Sequence, residues 1–294
     1  MRWRQFSIRF VLILFLIVGV WLGLLVSRAN KQRNAVRQLK ELGGFDPSFV
    51  MERANPVQVW LANTFGVDFV FTVTKYSLSE STNIGESIEL LGDLPQLGNL
   101  TIAGTNVRDS DLLLLERLRN LRILDLGGTQ VTDDSLAPIA KLPKLENLNL
   151  NGSIGISDVG IGHLANHRHL KTVLLAGSQL GDSGMQTLAG LPSIATINAT
   201  QTKVTDVGIA HFANSQTIER LYLDGDKITD ASMPDFPTMR KLKKIVLWNT
   251  EITDTGVKHL ESMNSLAEIF VTNKNVTPSA ITSLRAALPA ASIK

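Results

Sequence analysis

Three polar residue types recur together in this chain at a spacing that could support chemistry. Residues 250–260 read TEITDTGVKHL and residues 202–212 read TKVTDVGIAHF, so a threonine and an aspartate precede a histidine in both segments. A hydroxyl, a carboxylate and an imidazole are the groups that nucleophilic and acid–base catalysis use. A repeated scaffold element would show the same order, because its polar residues recur at every repeat.

The histidines do not form a metal-binding set in the sequence. His163, His211 and His259 occupy the same slot of alternate repeats, too far apart to share a metal whose nitrogen ligands lie about 2.0–2.1 Å from it. We expect them to be surface residues of helices. His167 and His169 are neighbours at a predicted turn, but the sequence offers no third ligand beside them.

Other signatures of catalysis are also missing from the sequence. It has no cysteine, which excludes disulfides and thiolate metal sites. It shows no GxSxG, P-loop, HExxH or dinucleotide-binding fingerprint. We therefore expect no enzymatic activity, no cofactor and no metal, and we interpret the Thr-Asp segments as scaffold.

The elements that position these residues repeat at a nearly fixed period. Equivalent positions fall every 24 residues from Leu94, with a single spacing of 25 where residues 153–158 (SIGISD) carry one insertion; these positions are 94, 118, 142, 167, 191, 215, 239 and 263. The pattern within each unit is LxxLxxLxLxxTxxTDxGLxxL. A period in this range is typical of a solenoid, whose units bury their apolar faces against their neighbours.

The polar slots of the repeat have a structural explanation. A small polar residue follows each predicted strand, where backbone groups lose their ladder partners and stacked hydroxyls could replace them; the slot holds Thr105, Thr129, Ser153, Ser178, Thr202, Asp226 and Thr250. The Thr-Asp pair then begins a short convex helix, whose free amides a hydroxyl or a carboxylate could cap. Because of Pro138, Pro234 and Pro237, we expect short or irregular convex segments in two of the repeats.

These residues resemble the leucine-rich-repeat family, and the ITDxGL segment is similar to one branch of it. The resemblance covers residues 70–286. We assign a divergent first repeat to 67–93 and eight repeats of about 24 residues to 94–286. It implies an α/β leucine-rich-repeat solenoid, with a curved parallel sheet on the concave side and short helices on the convex side. It also implies binding rather than catalysis. With its N-terminal segment, the whole chain looks like bacterial membrane-anchored leucine-rich-repeat proteins.

The N-terminal segment is predicted to contact a lipid bilayer. After a tail at 1–9, residues 10–27 include an uncharged apolar run that as a helix would span about 25 Å, enough for a transmembrane signal anchor. A cleaved signal peptide is the alternative, but only residues 27–29 approximate a cleavage site, and poorly. Basic residues flank both ends of the run in similar number, so the side on which the repeats lie stays undetermined.

Residues 28–66 are predicted to form a basic juxtamembrane helix and an N-terminal cap. The helix, at 28–44, is expected to be a solvated stalk near anionic headgroups, and residues 59–66 a second short helix. Residues 1–44 carry a net charge of +7 and the remainder −5. An acidic body disfavours nucleic acid as a partner. Residues 287–294 are predicted to be a C-terminal tail too short to cover the last strand, which leaves an exposed edge at 268–272.

The predicted binding surface lies on the concave face at the last three repeats, where large side chains replace small polar ones. Aromatic anchors with a charged rim are typical of protein-binding hot spots. We call this set the concave patch; it comprises Arg220, Tyr222, Asp224, Lys244, Val246, Trp248, Glu268 and Phe270. The alternative is that these aromatics only stabilise the sheet.

Three functional classes agree with the sequence. The first is a membrane-tethered, non-catalytic recognition module that binds a protein or peptide on the concave face. The second is a structural envelope protein that associates with copies of itself. The third is a substrate-recognition adaptor of a ubiquitin-ligase-like complex, which the short, basic residues 28–66 disfavour because they leave no room for a docking domain.

Overall fold

The computed structural model describes residues 8–43, 60, 62, 73–78 and 83–294, and side chains from residue 12 onward. Most of the segment predicted as a short helix at 59–66 lies outside the described residues. The strands are β1 (Lys75–Ser77), β2 (Asn99–Thr101), β3 (Ile123–Asp125), β4 (Asn147–Asn149), β5 (Thr172–Leu174), β6 (Thr196–Asn198), β7 (Arg220–Tyr222), β8 (Lys244–Val246), β9 (Glu268–Phe270) and β10 (Ser292–Ile293). The α-helices are α1 (Ile8–Glu41), α2 (Ile84–Leu91), α3 (Asp109–Leu112), α4 (Leu136–Ile139), α5 (Asp158–Gly162), α6 (Asp182–Ala189), α7 (Asp206–Ala210), α8 (Asp254–Leu260) and α9 (Pro278–Ala287).

The strands form one parallel sheet in sequence order, from β1 to β10. Each strand pairs with the next in the register of the repeat, so that Leu100, Leu124 and Leu148 align across neighbouring strands. The two aliphatic residues of each LxL pattern are buried and, except at Val246, the residue between them is half-buried on the other face, as in Leu124-Asp125-Leu126. Successive side chains of a strand point to opposite faces, so the leucines form the core and the alternate residues form the concave surface. The predicted solenoid is confirmed.

The convex side carries the short helices, and their length follows the sequence. The two proline-containing repeats have a four-residue α-helix at Leu136–Ile139 and a 3₁₀ segment at Met233–Thr238. These short and irregular segments confirm the prediction from the prolines, which remove a backbone donor and crowd the preceding turn. The inserted residue near 154 leaves the Ile154 side chain 70% exposed while Ile156 keeps its place in the core.

The Thr-Asp segments join neighbouring repeats. The hydroxyls of Ser157, Thr205 and Thr253 accept from the amide two residues later and cap their own helices, as predicted. The aspartate instead reaches the next repeat: Asp182 accepts the amide of Thr205 at 2.8 Å and its hydroxyl at 2.7 Å. The prediction assigned the carboxylate to its own helix, whereas the structure uses it between repeats.

This contact recurs along the solenoid, and we call it the Asp–Thr ladder. Seven carboxylates accept the amide of the following repeat at 2.6–2.9 Å, and six also accept its hydroxyl at 2.5–2.8 Å. The acceptors are Asp109, Asp133, Asp158, Asp182, Asp206, Asp230 and Asp254. Hydrogen bonds to charged groups contribute about 1.5–3 kcal/mol each. The recurring motif therefore stabilises the stacking of repeats, which is the scaffold role expected of it.

Helix α1 continues without a break from the apolar run into the basic segment. Among the described residues it is the one helix long and apolar enough to cross a bilayer. The side chains between Leu12 and Val26 are almost all exposed, whereas a line beyond them is buried on the side of the helix that contacts α2; it consists of Ala29, Gln32, Ala35, Val36 and Leu39. The Gln32 side chain accepts a hydrogen bond from the Val73 amide at 3.2 Å. The expectation of a solvated stalk is therefore wrong, because this segment covers the N-terminal end of the core.

The C-terminal end of the sheet also differs from expectation. Residues 287–294, predicted to be a tail, contain β10, in which Ser292 pairs with Glu268 and Ile293 with Ile269. Ile293 is 7% exposed and extends the core by one more layer. The prediction of an exposed edge at 268–272 is wrong because this two-residue strand, shorter than any strand the repeat pattern reveals, covers it.

Candidate functional site

The concave patch lies on β7, β8 and β9 and the residues that follow them. Register places Arg220, Lys244 and Glu268 side by side across the three strands, and Tyr222, Val246 and Phe270 form the next row. Neighbouring parallel strands lie about 4.8 Å apart, so each row is continuous. The structure therefore brings these predicted residues together on one surface.

Aromatic contacts hold the patch together. The Trp248 and Phe270 rings meet edge to face, with centroids 5.1 Å apart and planes at 87°. The Trp248 side chain is 38% exposed and is the most accessible of these rings, while Tyr222 and Phe270 are half-buried. An edge-to-face pair adds about 0.5–1.5 kcal/mol beyond its buried area, so the two rings hold each other in a fixed arrangement.

Val246 does not belong to the exposed surface. It lies between Tyr222 and Phe270 in the second row and is 7% exposed. The sequence places it correctly on the concave face, but the expectation that it is available to a partner is wrong because its two larger neighbours cover it. Val246 supports the rings from below.

A lysine stands over these rings. The Lys244 ammonium lies 5.6 Å from the Tyr222 centroid and 5.1 Å from the Phe270 centroid, within the range of cation–π attraction. It also pairs with Glu268 at 2.7 Å. The hydrogen bond from Lys244 lowers the pKa of Glu268, and the same bond raises the pKa of Lys244. Both side chains therefore stay charged at neutral pH and form a fixed polar margin to the aromatic surface.

Two members of this region were missed from the sequence. The Lys294 ammonium lies 5.5 Å from the Phe270 centroid because β10 brings the C-terminal residue to the patch. The Asn249 side chain donates to Asp224 at 2.9 Å and orients that carboxylate. The repeat pattern gives no signal for either one, because Lys294 lies beyond the last repeat and Asn249 occupies a turn.

The N-terminal half of the concave face has a different character. Its polar side chains bond to the protein's own backbone and to one another: Asp125 accepts from the Gly127 amide at 3.0 Å and from Asn149 at 2.8 Å. Asn151 accepts from the Ala176 amide at 2.8 Å and Asn198 from the Thr200 amide at 3.0 Å. These acceptors are already used within the solenoid, so the aromatic surface distinguishes the C-terminal half.

His167 is a core residue. It is 6% exposed, its Nδ1 accepts from the His169 amide at 3.3 Å, and its Nε2 lies 2.9 Å from the Leu142 carbonyl. A carbonyl only accepts, so Nε2 must carry the hydrogen and the ring is neutral. Burial lowers the pKa of His167, the bond to Leu142 opposes this, and His169 adds to the lowering. The described residues contain no cluster of potential metal ligands.

The buried ring of His167 predicts a loss of stability in acid. Because the folded state resists protonation while the unfolded chain accepts a proton near pH 6.5, its contribution is present above that pH and declines below it. Replacing His167 by leucine, which neighbouring repeats have at this slot, is expected to reduce the fall in the denaturation midpoint between about pH 7.5 and 5.5. His163→Leu, at an exposed position, is the control. An unchanged pH dependence in His167→Leu would contradict the assignment.

Asp226 is the other polar residue with an unusual environment. It occupies the slot that holds a hydroxyl in most other repeats and is 3% exposed. Its Oδ1 accepts from the amide of Thr202 at 2.7 Å and from its hydroxyl at 3.1 Å, whereas Oδ2 is buried without a hydrogen-bond partner. Burial raises the pKa of Asp226 from 3.8 to about 7, against the lowering effect of the bonds from Thr202. The repeat pattern places Asp226 in the same slot as the hydroxyls, and this cost becomes visible only from its burial.

The comparisons with known proteins agree on the fold. A leucine-rich-repeat family model matches residues 117–140 and 166–189. Among solved structures, internalin C2 from Listeria monocytogenes is 22% identical over 82% of this chain and 92% of its own, with a TM-score of 0.55. An internalin F from the same organism is 16% identical over 81% of this chain and 87% of its own, with a TM-score of 0.50. No curated protein matches the chain. The fold is that of a leucine-rich-repeat solenoid.

Proposed function

We propose that the chain is a non-catalytic recognition module that binds a protein or peptide through the concave patch. The observation that carries the proposal is the contact of the exposed Trp248 ring with the half-buried Phe270 ring, with Lys244 beside them. The other half of the concave face satisfies its own polar groups. Aromatic anchors held rigidly and surrounded by charged residues are typical of interaction hot spots. An ordered aromatic surface loses little conformational entropy when a partner binds.

We further propose that residues 10–27 anchor this module in a membrane, with the repeats fixed against the bilayer by the docked half of α1. The exposed apolar side chains of Leu12–Val26 support this placement, because water would solvate such a surface poorly. Alkaline carbonate extraction of membranes tests the anchor, which should stay in the pellet, and protease protection on intact cells determines the side.

Replacing Tyr222, Trp248 and Phe270 together by serine is expected to weaken partner binding by at least about 30-fold, since a single hot-spot residue contributes about 2 kcal/mol or more. The measurement is crosslinking on intact cells followed by affinity capture and quantification of the specific partner. The matched control is Val159→Ser/Val207→Ser, which removes two convex side chains that are 72% and 61% exposed.

Equal capture by the two variants would remove the patch from the binding site. The same detergent extracts, measured by size, test the self-associating alternative: a wild-type oligomer that the triple serine variant dissociates would make a second copy of the chain the partner. The edge strand β10 has two residues, and so short an edge disfavours association through free strand groups.

A further inference from the structure

A cavity lies where α1 leaves its apolar run and docks on the solenoid. Its volume is about 260 Å³, and four of its lining residues come from one face of α1: Leu24, Ser27, Arg28 and Lys31. Residues three, four and seven apart lie on the same side of a helix. The opposite wall is the turn after α2, which contributes Gly92, Asp93 and Pro95. The site exists only because α1 is held against the first repeat.

The charges around the cavity favour an anion. Arg28 and Lys31 are exposed, and neither has an ion-pair partner among the described residues. The guanidinium of Arg117 lies against Gly92, where a Cβ would come within 2.8 Å of its Cζ, and this places a third cation beside the wall. Asp93 is the single acid of the lining.

The positions of the lining residues along α1 indicate which kind of anion the cavity fits. Leu24 belongs to the last turn of the apolar run and is 65% exposed, while Lys31 lies about 10 Å further along the axis. An apolar side chain followed by two cations over this distance matches a lipid molecule, whose acyl chains end where its phosphate begins. Neither inorganic phosphate nor a soluble sugar phosphate would use Leu24.

We propose that this cavity binds the headgroup of an anionic glycerophospholipid with a hydroxyl-bearing headgroup, such as phosphatidylglycerol. Arg28, Lys31 and the Ser27 hydroxyl donate to the phosphodiester oxygens, and Leu24 packs against the start of an acyl chain. Asp93 accepts from a headgroup hydroxyl and repels a doubly charged phosphate monoester. The inference rests on the membrane placement in the proposed function, and the bound lipid would join the two halves of α1 to the solenoid.

The test uses the full chain in nanodiscs of phosphatidylcholine with a minor fraction of phosphatidylglycerol, followed by native mass spectrometry of the retained lipid. Wild type is expected to retain phosphatidylglycerol in preference to phosphatidylcholine. Arg28→Gln/Lys31→Gln should lower that retention about 30-fold, at about fivefold for each cation near the bilayer surface. The control Arg33→Gln/Arg37→Gln removes two cations from the same helix outside the cavity and should lower it by less than about threefold.

A second variant separates the cavity from diffuse attraction. Ser27→Phe keeps both cations but fills the space between them, and it should lose the preference as well. The proposal would be overturned if wild type showed no preference for phosphatidylglycerol, if the two glutamine variants lost it equally, or if Ser27→Phe kept it. Displacement of the lipid by soluble inorganic phosphate would also overturn it. Failure of carbonate-resistant insertion would refute the anchor itself. Unchanged partner capture by the triple serine variant, with lipid retention intact in wild type, would refute only the recognition function.

Discussion

Replacing Asp226 by asparagine is expected to stabilise the folded chain at pH 8 by roughly 2–4 kcal/mol. The folded pKa of Asp226 is about 7 against a usual value of 3.8, so above neutrality folding forces a charge into a buried site where Oδ2 has no hydrogen-bond partner. Asparagine keeps an oxygen that can accept from the amide and hydroxyl of Thr202. It never carries the charge, so the large cost of burying a carboxylate is replaced by the smaller cost of burying an amide NH2 at the Oδ2 position, where no partner lies.

The sign of the effect fixes its pH dependence. An acid whose folded pKa is raised costs nothing below its unfolded value, because both states are then protonated. The cost grows as pH rises from 3.8 to about 7 and is constant above that. The stabilisation in Asp226→Asn, measured from chemical denaturation of the detergent-solubilised chain, should therefore be small near pH 4 and largest above pH 7.

Asp224→Asn is the matched control, since it removes the same charge two residues away at a half-buried carboxylate that accepts from Asn249. We expect it to change the free energy of unfolding by less than about 1 kcal/mol. A stabilisation in Asp226→Asn that does not vary with pH would show that packing, not charge, is the cause.

Replacing Gly160 by alanine is expected to destabilise the chain by about 3 kcal/mol, the sum of an overpacking cost and weakened hydrogen bonds to a carboxylate. A Cβ at this position would overlap the Asp133 carboxylate and come within 3.0 Å of the Asp133 Cα. That carboxylate accepts the amide and hydroxyl of Ser157 at 2.7 and 2.6 Å. The methyl group would have to displace the carboxylate, and the bonds between the two repeats would weaken.

Gly162→Ala provides the control within the same helix. No atom lies within 4 Å of a Cβ built at Gly162, so alanine there should stabilise by about 0.4–1 kcal/mol by restricting the unfolded chain. The two single-methyl variants should therefore shift the denaturation midpoint in opposite directions. Similar shifts in both variants would mean that the close approach of the Asp133 carboxylate is not the reason why position 160 requires glycine.

Periodicity is the reason the fold could be predicted from the sequence. The 24-residue spacing of leucines placed every strand from β2 to β9, because one buried slot recurs at a fixed distance in every repeat. Helix capping by Ser157, Thr205 and Thr253 followed from local chemistry. Contacts between repeats could not be predicted from local chemistry. Only the three-dimensional packing shows that each aspartate bonds to the next repeat and that Gly160 is required beside Asp133.

The ends of the solenoid and the burial of individual side chains were beyond sequence reasoning for a related reason. The docked face of α1 has only sparse apolar residues, such as Val36 and Leu39, and the partners on the solenoid, α2 and Val73, lie more than thirty residues away. Strand β10 has two residues and no repeat signature. In the concave patch the alternation of the strands gave the correct face for Val246, but the size of its neighbours determined its burial.

The Asp–Thr ladder runs in one direction along the solenoid, since each carboxylate serves the repeat that follows it. Its last member, Asp254, bonds to Thr277, and proline at 278 stands where the earlier repeats have aspartate. The last repeat therefore donates to the carboxylate of the repeat before it, but it has no carboxylate in the same position to bond a further repeat. Because proline has no carboxylate, the Asp–Thr ladder stops at Thr277, and repeat-to-repeat linkage of this kind cannot continue past position 278.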